Sequence, residues 1–153
     1  ASVANVFGII ISATVFGLYL TYAQIPQKLT SLILGMDVGP IGFLLLVNVM
    51  LLIMGMLIDS AAVLLIAVPL LYPVAMQLGI DPIHFGIVCI LNLSIGALTP
   101  PFGATMYQCC NLCEIEMPEF LKQGKELIAA LLIALLVVTF VPGIATLLPA
   151  MMK

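Results

Sequence analysis

The stretch Asn92-Leu-Ser-Ile-Gly-Ala-Leu-Thr-Pro-Pro-Phe-Gly103 interrupts a hydrophobic run at the depth where a membrane helix is normally continuous. Each proline fixes its own φ angle and removes a backbone donor, and Pro100 pushes Thr99 away from helical angles. Because lipid offers no hydrogen-bond partner, broken backbone at this depth occurs only inside protein or along a polar cavity. Many secondary transporters build their ion and substrate sites from such discontinuous helices, so the stretch predicts a ligand site.

The composition is that of a membrane protein. Of 153 residues, 64% are hydrophobic and only 7% are charged, and the mean hydropathy is +1.35. One core of this size cannot hide so much apolar surface, so we expect an integral membrane protein rather than a soluble domain. Seven acidic residues and four lysines give a net charge of −3. This balance excludes nucleic-acid binding, which requires a basic surface.

The start of the chain predicts a part of a longer protein. Ala1 stands where an initiator methionine is expected, and an apolar run begins almost at once. We expect no signal peptide, because no basic segment precedes a small-residue cleavage site. The simplest interpretation is a fragment whose N-terminal portion is missing.

Hydrophobic runs predict an all-α integral membrane protein. Residues 1–25 form a predicted transmembrane helix, since one crossing needs about 20 apolar residues. Residues 26–40 predict an interfacial helix and a turn rich in Gly and Pro. Residues 83–112 hold the discontinuous transmembrane helix. Residues 113–126 predict an amphipathic loop or helix, and residues 127–149 a C-terminal transmembrane helix.

Residues 41–76 are almost wholly apolar, and their length lies between one membrane span and two. The middle of this run reads Gly55-Met-Leu-Ile-Asp-Ser60. A polar tip in such a run predicts a re-entrant helical hairpin, and the alternative is two complete but short helices. We favour the hairpin, because Asp59 would otherwise lie in a loop without other polar neighbours.

Asp59 is the one ionisable side chain deep within an apolar run. An acid at the bilayer centre costs about 2.5–3.5 kcal/mol on insertion scales, so it normally faces a polar cavity or an ion pathway. The alternative is a cap, in which the carboxylate accepts backbone N–H bonds at the start of the following helix. The two interpretations are compatible, because a capped tip beside an ion site still affects the local field.

The broken stretch offers oxygen ligands. Thr99 supplies a hydroxyl and a free carbonyl, and Gly96 a carbonyl at the end of the first half-helix, which suit Na⁺. Gly103 permits a positive φ or a close backbone approach. Asn92 either supports this site or only forms hydrogen bonds between helices. A proline-kinked packing helix without any ligand is the alternative for the whole stretch.

Other chemistry-bearing residues predict no further site. The cysteines are Cys89, Cys109, Cys110 and Cys113, and His84 is the one histidine. A structural zinc site normally uses four ligands, so we expect no metal beyond Na⁺ and no cofactor. No nucleophile, base and orienting acid are grouped, so we expect no enzyme and no catalytic residue.

Four motifs together resemble the large membrane (M) subunit of TRAP (tripartite ATP-independent periplasmic) transporters, in its C-terminal half. In chain order they read Gly55-Met-Leu-Ile-Asp-Ser60, Pro69-Leu-Leu-Tyr-Pro73, Gly79-Ile-Asp-Pro-Ile-His-Phe-Gly86 and Asn92-x3-Gly-x2-Thr-Pro-Pro-x-Gly103. The resemblance covers nearly the whole chain. It implies one half of an inverted-repeat elevator transporter, with a re-entrant hairpin and a broken helix in each half.

The resemblance also implies a function. Its members carry out sodium-coupled symport of organic acids, of the C4-dicarboxylate or sialic-acid class, as multi-pass proteins of the bacterial inner membrane. The implied partners are a small membrane subunit, a periplasmic substrate-binding protein and the missing N-terminal half of the same subunit. The alternatives are a proton-coupled or exchanging carboxylate transporter of the same broad superfamily, and a non-transporting membrane scaffold.

Site residues follow from the same resemblance. It implies a sodium site formed by carbonyls of Gly55, Gly96 and Phe102 and by Thr99. The residues that we expect to support the ion or substrate site are Asp59, Ser60, Asn92, Pro100, Pro101 and Gly103.

Overall fold

The computed structural model describes residues 39–100 and 103–151, together with scattered positions between 11 and 35. The two long ranges contain six helices and no strand, which agrees with the predicted all-α class. The helices are α1 (Pro40–Leu57), α2 (Ser60–Gln77), α3 (Pro82–Leu98), α4 (Ala104–Cys113), α5 (Met117–Phe140) and α6 (Pro142–Met151). The predicted helix at 1–25 and the interfacial segment at 26–40 fall mostly outside the described residues.

Local chemistry accounts for several helix ends. α1 and α3 each begin with a proline, which suits the first helical position because the missing N–H has no intrahelical partner there. α3 ends at Leu98 because the next residue, Thr99, precedes Pro100 and takes the extended angles φ −108° and ψ 137°. α4 then starts after Gly103, which has a positive φ of 25°. The break predicted from the paired prolines therefore lies at the end of α3.

Among the described residues, three helices are long and apolar enough to cross a membrane: α1, α2 and α5. α1 and α2 have 18 residues each, a length of about 27 Å at 1.5 Å per residue. Only the two residues Ile58 and Asp59 separate them. Both predicted forms of this segment, a re-entrant hairpin and two short complete helices, contain such a helix pair.

α1 and α3 lie side by side and run in the same direction. Phe43 stacks on Phe85 with the ring centroids 6.4 Å apart, and Asn48 bonds Asn92 further along both helices. Gly55 meets Gly96 near both C-termini. Because the partners advance together along both helices, the packing is parallel and the two C-terminal ends lie at the same level.

The buried core is formed mainly by α1, α2 and α3. Its largest fully buried apolar side chains are Phe43, Phe85, Leu51, Ile95, Met106, Leu135, Val47, Val63, Val74 and Val88. α5 is different, since only 11% of its most apolar window is buried within the chain. Most of its apolar side chains therefore face outward, as lipid-facing side chains do.

The boundaries of the two C-terminal helices differ from those predicted from the sequence. We predicted an amphipathic segment at 113–126 and a separate span at 127–149, but α5 runs without a break through this boundary to Phe140. Good helix formers flank the boundary and no proline interrupts it. The break comes instead at Val141, with φ −119° and ψ 80°, because Pro142 follows it.

Candidate functional site

Gly55 and Gly96 bring the ends of α1 and α3 into backbone contact. A Cβ atom placed on Gly96 would lie 2.9 Å from both Cα and C of Gly55, closer than packed atoms allow. A Cβ on Gly55 would lie 3.4 Å from Cα of Gly96, an ordinary contact. Position 96 therefore requires a glycine, because any larger residue would force the two helix ends apart.

The end of α1 carries carbonyl groups without helical donors. The N–H of Ile58 bonds Met54 O at 2.8 Å and is the last such bond of the helix. The carbonyls of Gly55, Met56 and Leu57 lie beyond it, where a helix leaves acceptors unpaired. The carbonyl ligand predicted for Gly55 therefore belongs to a group of carbonyls that accept no helical bond among the described residues.

The end of α3 offers a second group of oxygens. The Thr99 N–H donates to Gly96 O at 3.1 Å, and its hydroxyl donates to Ile95 O at 2.6 Å. The Thr99 hydroxyl has thus committed its proton and keeps its lone pairs for a cation. Gly96 O accepts one bond and retains a second lone pair.

Gly103 allows the chain to turn closely over the end of α3. A Cβ on this residue would lie 2.9 Å from Thr99 O and 3.2 Å from Ala97 O. Its φ of 25° is also a backbone conformation that favours glycine. Pro100 lies in this turn, whereas the predicted ligand Phe102 and its neighbour Pro101 lie outside the described residues.

The C-terminal ends of α1 and α3 favour a cation at this place. Each helix C-terminus carries about half a negative elementary charge from the aligned peptide dipoles, and here two such ends meet. Neither α1 nor α3 has a basic residue in its last turn to offset that charge. Carbonyl and hydroxyl oxygens are hard ligands, which suit Na⁺ better than a soft metal.

Asp59 caps α2. Its Oδ1 accepts from Ala61 N–H at 3.0 Å and Ala62 N–H at 3.3 Å. The residue is exposed, and its geometry matches the cap interpretation. The neighbouring Ser60 donates its hydroxyl to Leu93 O at 3.3 Å, which ties the turn between α1 and α2 to α3.

An open groove of about 470 Å³ lies between α2, α3 and the start of α4. Its polar groups are the hydroxyls of Ser60, Ser94 and Thr105, and the remaining surface is apolar. Thr105 was not among the predicted site residues. No sequence signal could have identified it, because the groove exists only where the start of α4 lies beside α2 and α3.

Asn92 does not lie at the glycine contact. It is completely buried one turn earlier on α3 and bonds Asn48 of α1. Asn48 was also missed by the sequence analysis, although an amide inside an almost wholly apolar run is a visible signal. Both amides belong to the packing between α1 and α3.

The cysteines form no metal centre in the described part of the chain. No group of three or more His, Cys, Asp or Glu side chains there could hold a metal ion. Cys89 and Cys110 are buried, Cys109 is half-buried and Cys113 is exposed.

Known proteins with similar sequences point to one family. Residues 1–144 match the family model described as tripartite ATP-independent periplasmic transporter, DctM component. The C4-dicarboxylate TRAP transporter large permease protein DctM of Vibrio cholerae is 36% identical over 144 residues. The sialic acid TRAP transporter large permease protein SiaM of the same organism is 41% identical over 140 residues. The isethionate TRAP transporter permease protein DctMQ of Oleidesulfovibrio alaskensis is 36% identical over 132 residues.

These alignments cover most of this chain but a minor part of each relative. They span 94%, 92% and 86% of the chain, and 32%, 33% and 21% of the respective relatives. The chain thus spans about a third or less of their length. The family consists of transport proteins rather than enzymes, as expected from the missing catalytic group. Because the family model matches nearly all of this chain, the resemblance drawn from the four motifs is confirmed, and the chain belongs to the DctM family of TRAP transporter large permeases.

Proposed function

We propose that this chain is the C-terminal part of a large membrane subunit that takes up organic acids by sodium symport. The observation that carries the proposal is the meeting of two parallel helix C-termini at Gly55 and Gly96, with the Thr99 hydroxyl beside them. Open carbonyls and two negative dipole ends form a place where a small hard cation offsets the charge. The proposed sodium ligands are carbonyls of Gly55, Gly96 and Phe102, and Thr99.

The groove beside this site is the proposed position of the organic acid. The relatives are named for C4-dicarboxylates, sialic acid and isethionate, and all three are anions that carry a carboxylate or a sulfonate. The groove is lined by the hydroxyls of Ser60, Ser94 and Thr105. Ser60 and Ser94 now donate to Leu93 O and Ile90 O, so in this proposal their hydroxyls rotate to donate to the anion. A bound sodium ion would strengthen anion binding in the groove, and the anion would strengthen sodium binding by the same factor. This reciprocity is the physical basis that we propose for the coupling.

In this proposal α1 and α2 form a re-entrant hairpin. The turn between them lies level with the end of α3, and α4 completes the crossing that α3 begins. Both the turn and the break then lie inside the bilayer beside a water-filled cavity, where non-helical backbone is tolerated. We propose further that the complete subunit moves this unit as an elevator in the bacterial inner membrane. Its proposed partners are a small membrane subunit, a periplasmic binding protein and the remaining part of the same subunit.

Uptake by the complete transporter, reconstituted in liposomes with its partner subunits, tests the proposal. Labelled C4-dicarboxylate, sialic acid and isethionate are each supplied under an inward sodium gradient, with a matched potassium gradient as the control. We expect accumulation of one of the three solutes under sodium alone. Accumulation that follows a proton gradient and ignores sodium would overturn the sodium coupling. Failure to accumulate any of the three solutes would overturn the substrate class.

A further inference from the structure

The interface between α1 and α3 contains one pair of buried amides in an apolar surrounding. Asn92 is fully buried and Asn48 is 4% exposed. The Asn92 Nδ2 group donates to Asn48 O at 3.0 Å and to Asn48 Oδ1 at 2.8 Å. The side chains around them in α1 and α3 are apolar, and they include Val47, Leu51, Val88 and Leu93.

The orientation of the Asn92 amide is fixed by its surroundings. Both atoms that face its Nδ2 group are acceptors, so an exchanged amide would place oxygen against oxygen. In the observed orientation Asn92 Oδ1 is buried and has no hydrogen-bond partner among the described residues. An apolar pair would pack here without leaving an acceptor unpaired. Packing alone therefore does not account for the two amides.

The amide pair is also connected to α5. Asn48 Nδ2 donates to Thr139 Oγ1 at 2.9 Å, and the Thr139 hydroxyl donates to Leu135 O at 2.7 Å. Asn48 thus receives a bond from α3 and gives one to α5. The directional bonds join three helices at one level, where apolar contacts alone would allow them to slide.

The position of the pair relates it to the helix ends. Gly96 lies four residues after Asn92, and Gly55 lies seven residues after Asn48, about one and two helical turns at 3.6 residues per turn. A shift of α1 by one residue along α3 would displace both Asn48 acceptors by about 1.5 Å along the helix axis from the Asn92 Nδ2 group. The same shift would move Gly55 away from Gly96, where a Cβ has no room. The hydrogen bonds between Asn92 and Asn48 and the contact between Gly55 and Gly96 therefore require the same register of α1 along α3.

We infer that Asn48 and Asn92 are positioning residues that hold the two carbonyl-bearing helix ends in the register required for sodium binding. The inference rests on the proposed sodium site, because it assigns the amides no ligand of their own. A single buried asparagine is known to fix register in packed helices at a cost in stability. Here the unpaired Asn92 Oδ1 is the corresponding cost. The amides act through the backbone, one or two turns away from the ion.

Three variants of the complete reconstituted transporter separate positioning from simple stabilisation. Asn92→Leu leaves the Asn48 acceptors unpaired, so we expect a lower Tm and a higher half-saturating sodium concentration for uptake. Supporting groups around a metal typically change its affinity by 10–100-fold, and we expect about tenfold here. The double variant Asn48→Leu/Asn92→Leu presents matched apolar surfaces and should recover Tm. It should nevertheless keep the raised sodium requirement, because nothing directional fixes the register.

Val88→Ala is the matched control, since it removes buried apolar atoms from the same helix one turn before Asn92. It should lower Tm and leave the half-saturating sodium concentration unchanged. If the double variant recovers its sodium affinity together with its Tm, the amides only stabilise and the inference is wrong. Should the leucine variants fail to assemble, Asn92→Ser provides the same comparison, because a helical serine hydroxyl turns back to its own helix, as Ser94 does to Ile90 O. An unchanged sodium requirement in Asn92→Ser would likewise overturn the inference.

The wild-type transporter separates this inference from the proposed function. If wild-type uptake shows no sodium dependence, the sodium site itself is wrong. If wild-type uptake depends on sodium and the amide variants do not alter the half-saturating concentration, only the positioning role is wrong.

Discussion

The two halves of the α1–α3 interface differ in whether their polar groups have partners within the protein. At Asn48 and Asn92 nearly every polar group finds a partner within the protein, and the bonds continue to Thr139 of α5. At Gly55 and Gly96 the helices approach without side chains, and the last carbonyls of α1 accept no helical bond among the described residues. Polar groups inside a membrane protein must be satisfied by some partner. In the first region only Asn92 Oδ1 lacks a partner among the described residues, whereas in the second we propose that a ligand supplies the missing partner.

Gly96→Ala is the most severe test of the open region, by which we mean the helix ends that meet at Gly55 and Gly96. The added Cβ would meet Gly55 backbone at 2.9 Å, and overpacking of this kind typically costs about 1–3 kcal/mol. If the whole cost falls on sodium binding, the half-saturating sodium concentration rises by about five- to 150-fold, since 1.4 kcal/mol is one factor of ten. Sodium-dependent uptake by the complete reconstituted transporter measures this change.

Gly86→Ala is the control for this substitution. Gly86 lies on the same helix, and a Cβ placed there has nothing within 4 Å. Alanine should therefore be neutral or stabilise the helix by up to about 1 kcal/mol. If Gly96→Ala and Gly86→Ala leave sodium dependence equally unaffected, the close contact has no role in ion binding.

Thr99→Val removes one oxygen from the open region and preserves the shape of the side chain. Hydrogen bonds or ligands to a charged group contribute about 1.5–3 kcal/mol, so we expect the half-saturating sodium concentration to rise about tenfold or more. Thr99→Ser keeps the hydroxyl and should retain most of the affinity. Equal sodium dependence of the valine and serine variants would exclude the hydroxyl as a ligand, and unchanged uptake in both would favour a packing role for the break.

Thr139→Val tests the closed region, by which we mean the hydrogen-bonded group of Asn48, Asn92 and Thr139. The substitution leaves Asn48 Nδ2 without its acceptor on α5, and an unsatisfied buried donor costs about 1–3 kcal/mol. We expect a lower Tm with a smaller change in sodium dependence than Thr99→Val gives. Thr146→Val is the control, because its hydroxyl bonds only Pro142 O within its own helix. A larger sodium effect from Thr139→Val than from Thr99→Val would reverse the comparison between the two regions.

The sequence predicted those features that depend on local chemistry. Pro100 determines where α3 ends, and Asp59 is recognisable as a cap from its place before a helix. The resemblance implied one ion site for Gly55 and Gly96, but it did not predict their direct backbone contact, because parallel packing depends on partners 41 residues apart. Asn48 was overlooked for the same reason, since its role appears only beside Asn92.

The extent of α5 is a second feature that the sequence did not predict. The change from charged to apolar residues near Glu126 and Leu127 predicted a boundary between a surface segment and a span. Charge determines which part of a helix lies in lipid, but it does not end the helix. The end requires a change in backbone geometry, and here Pro142 imposes it on Val141.

Asp59 allows the smallest but sharpest test of what the turn between α1 and α2 contributes. Asp59→Asn keeps an acceptor for the Ala61 and Ala62 N–H groups, because asparagine and aspartate are about equal as helix caps. Asp59→Ala removes that acceptor and should destabilise α2 by about 1 kcal/mol. If Asp59 is only a cap, Asp59→Asn retains normal uptake and Tm, while Asp59→Ala lowers Tm by a few degrees. If Asp59→Asn abolishes uptake at unchanged Tm, the carboxylate charge itself takes part in transport, and the open region extends from the carbonyls of α1 to the first turn of α2.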